Sequence, residues 1–72
     1  LTVTELRKMA KDAKVSVRKQ DGGYVANMTN GEDVPLHYSV TTEREALART
    51  MARDPSMVRV IETQTGIEVV RV

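Results

Sequence analysis

The spacing of apolar residues changes abruptly at Val15, and this change limits the folds open to the chain. Up to that point apolar side chains recur every three or four residues, as on one face of a helix. From Val15 onward apolar and polar residues alternate, as in a strand with one buried face. Both patterns need an opposing layer to cover their apolar side. The sequence therefore predicts an α+β domain in which helices pack on a mainly antiparallel sheet.

Two similar start signals predict two helices. Thr2-Val3-Thr4-Glu5 and Thr42-Glu43-Arg44-Glu45 both have the threonine–glutamate spacing of a capping box. We expect the first helix over residues 3–14. The second should begin at Thr41 or Thr42 and end before Pro55, because the residue before a proline avoids the helical conformation.

The second helix should turn one side to the core and expose the other. Its core-facing positions, set by helical spacing, are Ala46, Leu47, Thr50 and Met51. On its exposed side, Glu45 and Arg49 are four residues apart and should form an ion pair.

Alternation and turn residues predict five strands, over residues 15–20, 24–29, 34–40, 57–63 and 67–72. Asp21-Gly22-Gly23 and Asn30-Gly31 are the turn signals between the first three. Pro35 lacks a backbone N–H, so the third strand should begin there or lie at a sheet edge. The predicted order is αβββαββ, in a single domain over residues 1–72.

A three-residue loop, Gln64-Thr65-Gly66, should join the last two strands and place Thr63 opposite Ile67. Glu62 would then lie opposite Glu68. This register leaves apolar side chains on both faces of the hairpin, although a shift of one residue would exchange the faces. It places Val58, Val60, Val70 and Val72 on one face and Ile61, Ile67 and Val69 on the other. If two short helices leave one face uncovered, all seven residues are candidates for a protein interface. The alternative is that the helices pack on different parts of the sheet and the core takes these residues.

The chain has no cysteine, which excludes disulfides, zinc–thiolate sites and cysteine nucleophiles. No apolar run approaches the length of a membrane span, and no segment has the pattern of a signal peptide. We therefore expect a cytoplasmic protein without a membrane partner. A domain of 72 residues without disulfides has a thin core, which uses most of its aliphatic residues.

Residues suited to catalysis are present but form no recognisable site. His37 is the single histidine, and its nearest nucleophile in sequence is Ser39. Two carboxylate pairs are best interpreted as a solvated turn and as helix-start residues that complement the helix dipole: Glu32 with Asp33, and Glu43 with Glu45. Glu62 and Glu68, on the last hairpin, should repel each other unless strand twist separates them or a basic group lies between them. No calcium loop or phosphate-binding glycine loop is present. The sequence predicts no enzymatic activity, no cofactor, no metal and no small-molecule substrate.

Positive charge is concentrated near the N-terminus although the net charge is only +1. Residues 1–20 have a formal balance of +4, and residues 21–45 have a balance of −4. A phosphate-binding surface for nucleic acid would consist of the six basic residues of the first segment: Arg7, Lys8, Lys11, Lys14, Arg18 and Lys19. Tyr24 and Tyr38 are the only aromatic residues, so a duplex backbone is a better target than stacked single-stranded bases.

Two functions remain open from the sequence. The first is a non-catalytic protein-interaction or regulatory domain that uses the C-terminal hairpin, with a second copy of the chain as one possible partner. The second is a nucleic-acid-binding domain that contacts duplex phosphates through the first helix and the first strand.

Overall fold

A computed structural model describes residues 1–28, 31, 33–36, 40 and 42–72. It confirms the predicted α+β class and the element order αβββαββ. The two helices and five strands are α1 (Val3–Asp12), β1 (Ser16–Gln20), β2 (Gly23–Asn27), β3 (Val34–Pro35), α2 (Glu43–Met51), β4 (Val58–Thr63) and β5 (Gly66–Arg71).

The strands form two antiparallel sheets, one with the order β1-β2-β3 and one made of β4 and β5. Asp21 and Gly22 turn the chain between β1 and β2 with φ angles of 52° and 80°. Positive φ at both central residues matches the twist of a two-residue hairpin, which explains the Asp-Gly pair. β3 lies at the edge of its sheet, as predicted from the missing backbone N–H of Pro35. The predicted Asn30-Gly31 turn and the later part of the third strand fall largely outside the described residues.

The predicted capping box of α1 is confirmed. The Glu5 backbone N–H donates to Thr2 Oγ1 over 3.2 Å, and the Thr2 N–H donates to Glu5 Oε1 over 3.0 Å. The helix ends two residues earlier than predicted, because Lys14 adopts a left-handed φ of 57°. Val15 N–H then donates back to the Ala10 carbonyl over 2.8 Å, as in a Schellman motif. No glycine occupies this position, so the end of the helix could not be predicted from the residue type.

α2 begins as predicted, with Thr42 Oγ1 accepting the Glu45 N–H over 3.2 Å. The reciprocal half of this second capping box does not form among the described residues. Instead, the Glu45 carboxylate accepts Arg49 Nε over 2.9 Å, which is the predicted ion pair along the helix.

α2 lies at the centre of the fold and packs against α1, β1, β2 and β4. All four of its predicted core positions are buried, including Thr50, whose hydroxyl donates to the Ala46 carbonyl over 2.7 Å. The core cluster draws on both helices and on the hairpin: Leu6, Ala10, Val15, Leu47, Ala48, Met51, Val58 and Val69.

The predicted register of the β4–β5 hairpin is wrong by one residue. Thr63 pairs with Gly66 rather than with Ile67, so the loop is the two residues Gln64 and Thr65. Gly66 has a φ of 138°, which a residue with a side chain rarely adopts, and it serves as the first residue of β5 instead of the last of the loop. Two-residue loops also fit the strand twist better than longer ones.

The corrected register reassigns the two hairpin faces. Glu62 lies opposite Ile67, and Glu68 lies opposite Ile61, so the two glutamates are not opposed. Because cross-strand partners share a face, the side chains regroup into an inner set that faces the core and an outer set. The apolar members of the inner set are Val58, Val60, Ile67 and Val69, and those of the outer set are Ile61, Val70 and Val72.

Replacing Met51 with Ala should destabilise the protein by about 2–5 kcal/mol, because this fully buried side chain would leave a cavity between α2 and the hairpin. Met51→Leu keeps most of the volume and should cost less than about 1.5 kcal/mol. Urea unfolding followed by circular dichroism measures both values. Arg53→Ala, at an exposed position after α2, is the control and should change stability by less than about 0.5 kcal/mol. Equal values for Met51→Ala and Arg53→Ala would contradict the central role of α2.

Candidate functional site

The surface of the hairpin that points away from the core is the first candidate site. We call it the outer hairpin face and define it by six residues that share it through strand pairing and alternation: Arg59, Ile61, Thr63, Glu68, Val70 and Val72. Ile61 is 43% exposed and Val72 is 62% exposed. They are the two large hydrophobic residues that stand out as exposed in the described part of the chain, and both lie on this face.

The structure divides the seven predicted interface residues into two groups. Val58 and Val69 are 1% and 2% exposed and belong to the core, and Val60 and Ile67 pack against it. Val58 and Val69 are therefore not available to a partner in this fold, whereas Val60 and Ile67 are partly buried. Ile61, Val70 and Val72 remain at or near the surface, so the site is smaller than the sequence predicted.

Apolar and charged side chains alternate across this face in a diagonal arrangement. Arg59 pairs with Val70, and the next pair on the same face is Ile61 with Glu68. Ile61 and Val70 therefore occupy one diagonal, and the opposite charges of Arg59 and Glu68 occupy the other. Both charged residues are exposed, and neither forms an ion pair with another described residue.

Polar contacts attach the free edge of β5 to the rest of the domain. Arg44, from the first turn of α2, donates through Nε to the Leu1 carbonyl over 3.0 Å and through a terminal nitrogen to the Ile67 carbonyl over 3.3 Å. The Leu1 nitrogen donates to the Val69 carbonyl over 2.9 Å. These donors occupy carbonyl groups along the edge of β5 that β4 does not use, so another strand cannot pair there without displacing them.

Arg49 makes a second link between α2 and the hairpin. It donates to the carboxylates of Glu45 over 2.9 Å and Glu62 over 2.8 Å. The hydrogen bond with Glu62, followed by that with Glu45, raises the pKa of Arg49. The sequence indicated the contact with Glu45 but not the contact with Glu62, and it gave no sign of the role of Arg44, because these partners are distant along the chain.

The predicted phosphate-binding surface is partly neutralised within the protein. Arg7 binds both oxygens of Glu43, over 2.9 Å and 2.6 Å. Arg18 binds Asp33, with its shortest contact at 2.5 Å, and Asn27 donates to the same carboxylate over 2.8 Å. The hydrogen bonds from Arg18 and Asn27 lower the pKa of Asp33, so this carboxylate stays ionised beside the arginine.

Four lysines complete that surface. Lys8 and Lys11 are exposed on α1, and Lys19 is exposed on β1. None of these three forms an ion pair with a described residue. Lys14 lies in the left-handed turn that ends α1. The positive charge of this surface therefore comes mainly from its lysines, because the two arginines are paired with carboxylates.

The described residues offer no metal centre, since no three histidine or carboxylate side chains among them approach closely enough to share an ion. His37 and Ser39, the candidates for acid–base or nucleophilic chemistry, lie outside the described residues. No helix in the described ranges is long and apolar enough to cross a bilayer.

Comparison of the chain with protein-family models, curated proteins and solved structures found no match.

Replacing Glu43 with Gln should remove part of the acid sensitivity of folding. The hydrogen bonds from Arg7 lower the pKa of Glu43 below its ordinary value of 4.5. This stabilisation is complete above the unfolded-state value and is lost as the pH falls through the folded-state value. The wild type should therefore be more stable than Glu43→Gln at pH 7, and the difference should close as the pH falls below about 4.

Urea unfolding between about pH 3 and pH 7 measures this difference. Arg7→Gln should reproduce the profile of Glu43→Gln, and the double variant should match either single variant, because each removes the same pair. A stability difference that is independent of pH would show that the pair does not contribute in solution.

Proposed function

We propose that this protein is a non-catalytic protein-interaction domain of a regulatory kind, and that the outer hairpin face is its binding surface. The observation that supports the proposal is the position of Ile61 and Val72. Both of the large hydrophobic side chains that are exposed among the described residues lie on this one face, beside the half-buried Val70. Isolated surface hydrophobic residues are common, but a shared face with apolar neighbours is typical of a binding site.

The sheet geometry strengthens this interpretation. An antiparallel sheet that covers a core with one face and meets water with the other usually alternates apolar and polar residues. The inner hairpin face follows that rule through Val58, Val60, Ile67 and Val69, whereas the outer face departs from it at Ile61, Val70 and Val72. Unlike the inner set, these three residues neither belong to the core cluster nor pack against it, so they remain available to a partner.

The ionisable groups support a binding role rather than catalysis. A general acid in an enzyme needs a carboxyl group whose pKa is raised so that it holds a proton near neutral pH. The pKa values of Asp33, Glu43 and Glu5 are instead lowered by hydrogen bonds, with Arg18, Arg7 and Thr2 as the respective main donors. These carboxylates serve as ion-pair and capping groups.

The combined substitution Val70→Lys and Val72→Lys should abolish partner binding and preserve the fold. Two ammonium groups would have to be desolvated at the interface, whereas in the free domain they remain in water. A photo-reactive amino acid in place of Val72 identifies the partner by mass spectrometry, and titration calorimetry with the purified partner then gives the affinity of each variant. We expect a loss of at least about a hundredfold, as for a truncated or charged hot spot.

Arg53→Glu, at an exposed position outside the face, is the control and should bind as the wild type does. If the identified partner binds the double lysine variant as tightly as the wild type, the outer hairpin face is not the binding surface.

Nucleic-acid binding is the second candidate function, because Lys8, Lys11 and Lys19 are exposed without an ion-pair partner in the described part of the chain. Phosphate contacts by such lysines would give a duplex affinity that falls steeply with salt. Pairing of Arg7 and Arg18 with carboxylates leaves fewer cations for this purpose, so we rank it below protein binding.

If the second function holds, Lys8→Glu with Lys11→Glu should abolish binding to labelled DNA and RNA duplexes. The measurement is fluorescence anisotropy at about 50 and 200 mM salt, since wild-type affinity should drop strongly between the two. Arg53→Glu with Arg59→Glu makes the same change in net charge elsewhere on the protein and should retain more of the affinity. Equal losses in the two double variants would indicate only a net-charge effect, and no wild-type binding at the lower salt would exclude this function.

A further inference from the structure

The diagonal arrangement on the outer hairpin face has a symmetry that a partner must match. Neighbouring strands are separated by about 4.8 Å, and consecutive residues on one face of a strand by about 6.8 Å. Arg59, Val70, Ile61 and Glu68 therefore form a small parallelogram, with the apolar side chains at two opposite corners and the charges at the other two. Its diagonals cross at roughly 70°.

A two-fold axis along the Ile61–Val70 diagonal makes this pattern complementary to itself. Rotation about that axis seats Ile61 on Ile61 and Val70 on Val70 of a second copy. It brings the position of Arg59 to within about 3 Å, measured along the interface, of the position of the partner's Glu68. The same operation brings Glu68 to the partner's Arg59, as every contact in a two-fold interface occurs twice.

The resulting sheet-on-sheet geometry is an ordinary one. Strands of the two copies would cross at about 70°, close to the near-orthogonal class of sheet packing. A separation of about 10 Å between the packed sheets lets the long Arg59 and Glu68 side chains meet from opposite faces. Within one copy the two lie at diagonal positions and form no ion pair.

We infer that the outer hairpin face docks onto the same face of a second copy of this chain, with Ile61 and Val70 at the centre and two reciprocal Arg59–Glu68 ion pairs on either side. This inference rests on the proposed protein-binding function and names its partner. A foreign protein would need an apolar centre with one cation and one anion at these positions, and the chain already carries that arrangement on its own surface.

The pair should be weak and reversible. Two strands of six residues present a face of roughly 20 by 10 Å, well under the ~800 Å² per partner of stable complexes. We therefore expect dissociation constants between about 10 μM and 1 mM, with tighter association at low salt because the flanking charges are exposed. Sedimentation equilibrium and concentration-dependent NMR shifts cover this range.

Charge reversal gives the decisive experiment. Arg59→Glu and Glu68→Arg should each weaken self-association at least about tenfold, because each substitution turns both reciprocal pairs into repulsive ones. An equimolar mixture of the two variants should recover wild-type association at the same total concentration, since every cross-copy contact is then attractive again. Neither residue forms an ion pair with another described residue of the same copy, so the fold should not change. Arg53→Glu is the control for net charge and should associate as the wild type does.

Chemical crosslinking tests the position of the axis independently, because the chain has no native cysteine. Ile61→Cys should form a covalent dimer with a short bismaleimide, since this position meets itself across the axis. Gln64→Cys, in the loop at the end of the hairpin, should react much less. Equal yields at the two positions would overturn the inferred axis.

The outcomes separate this inference from the proposed function. A wild type that remains monomeric at about 1 mM, or a mixture of the two charge variants that does not recover association, overturns docking to a second copy. Neither result affects a foreign partner whose binding is lost in the Val70→Lys and Val72→Lys variant. If that partner also binds the lysine variant normally, the proposed function itself fails.

Discussion

Burial of one side of α2 is the interaction on which the rest of the structure depends. Five of its nine residues are buried, and three of those are alanine or threonine, whose small size lets neighbouring elements approach closely. The two sheets share no strand pairing among the described residues, so they are joined through this helix. A chain of 72 residues without disulfides relies on such a core for its stability. The polar side of α2 adds directional links, through Arg44 and Arg49 to the hairpin and through Glu43 to α1.

This arrangement explains why one hairpin face is left for binding. The helices pack against the inner face, where Val58 and Val69 are buried in the core and Val60 and Ile67 pack against it. Arg44 and the Leu1 nitrogen cover carbonyl groups along the outer edge of β5 and restrict strand addition there. What remains exposed is a face on which strand pairing sets the positions of the apolar and charged residues. Because the backbone of this face is already ordered by strand pairing, a partner would not have to order it on binding, which favours its use in recognition.

The sequence was informative where the signal was local. The capping box of Thr2 and Glu5, the Asp21-Gly22 turn and the core positions of α2 all depend on residues within one or two turns of each other, and all are confirmed. The errors arose where a local pattern allows two outcomes. Gly66 fits either the end of a loop or the start of a strand, and burial of Val58 with Val69 decides between them. In the candidate site, the sequence predicted an apolar hairpin but could not tell which of its residues the core would take.

Long-range ion pairs explain why charge along the chain was a poor guide to charge on the surface. The basic first segment and the acidic middle segment suggested a polarised protein, yet Arg7 pairs with Glu43, 36 residues away, and Arg18 pairs with Asp33. Much of the separation of positive and negative charge along the sequence therefore arises because the basic and acidic segments pair with each other in the fold. Arg59 and Glu68 differ, because they flank an exposed apolar diagonal and have no such partner among the described residues. Lys8, Lys11 and Lys19 are likewise unpaired among the described residues, but the charges on the hairpin lie beside exposed apolar side chains, and this combination favours the hairpin as the binding surface.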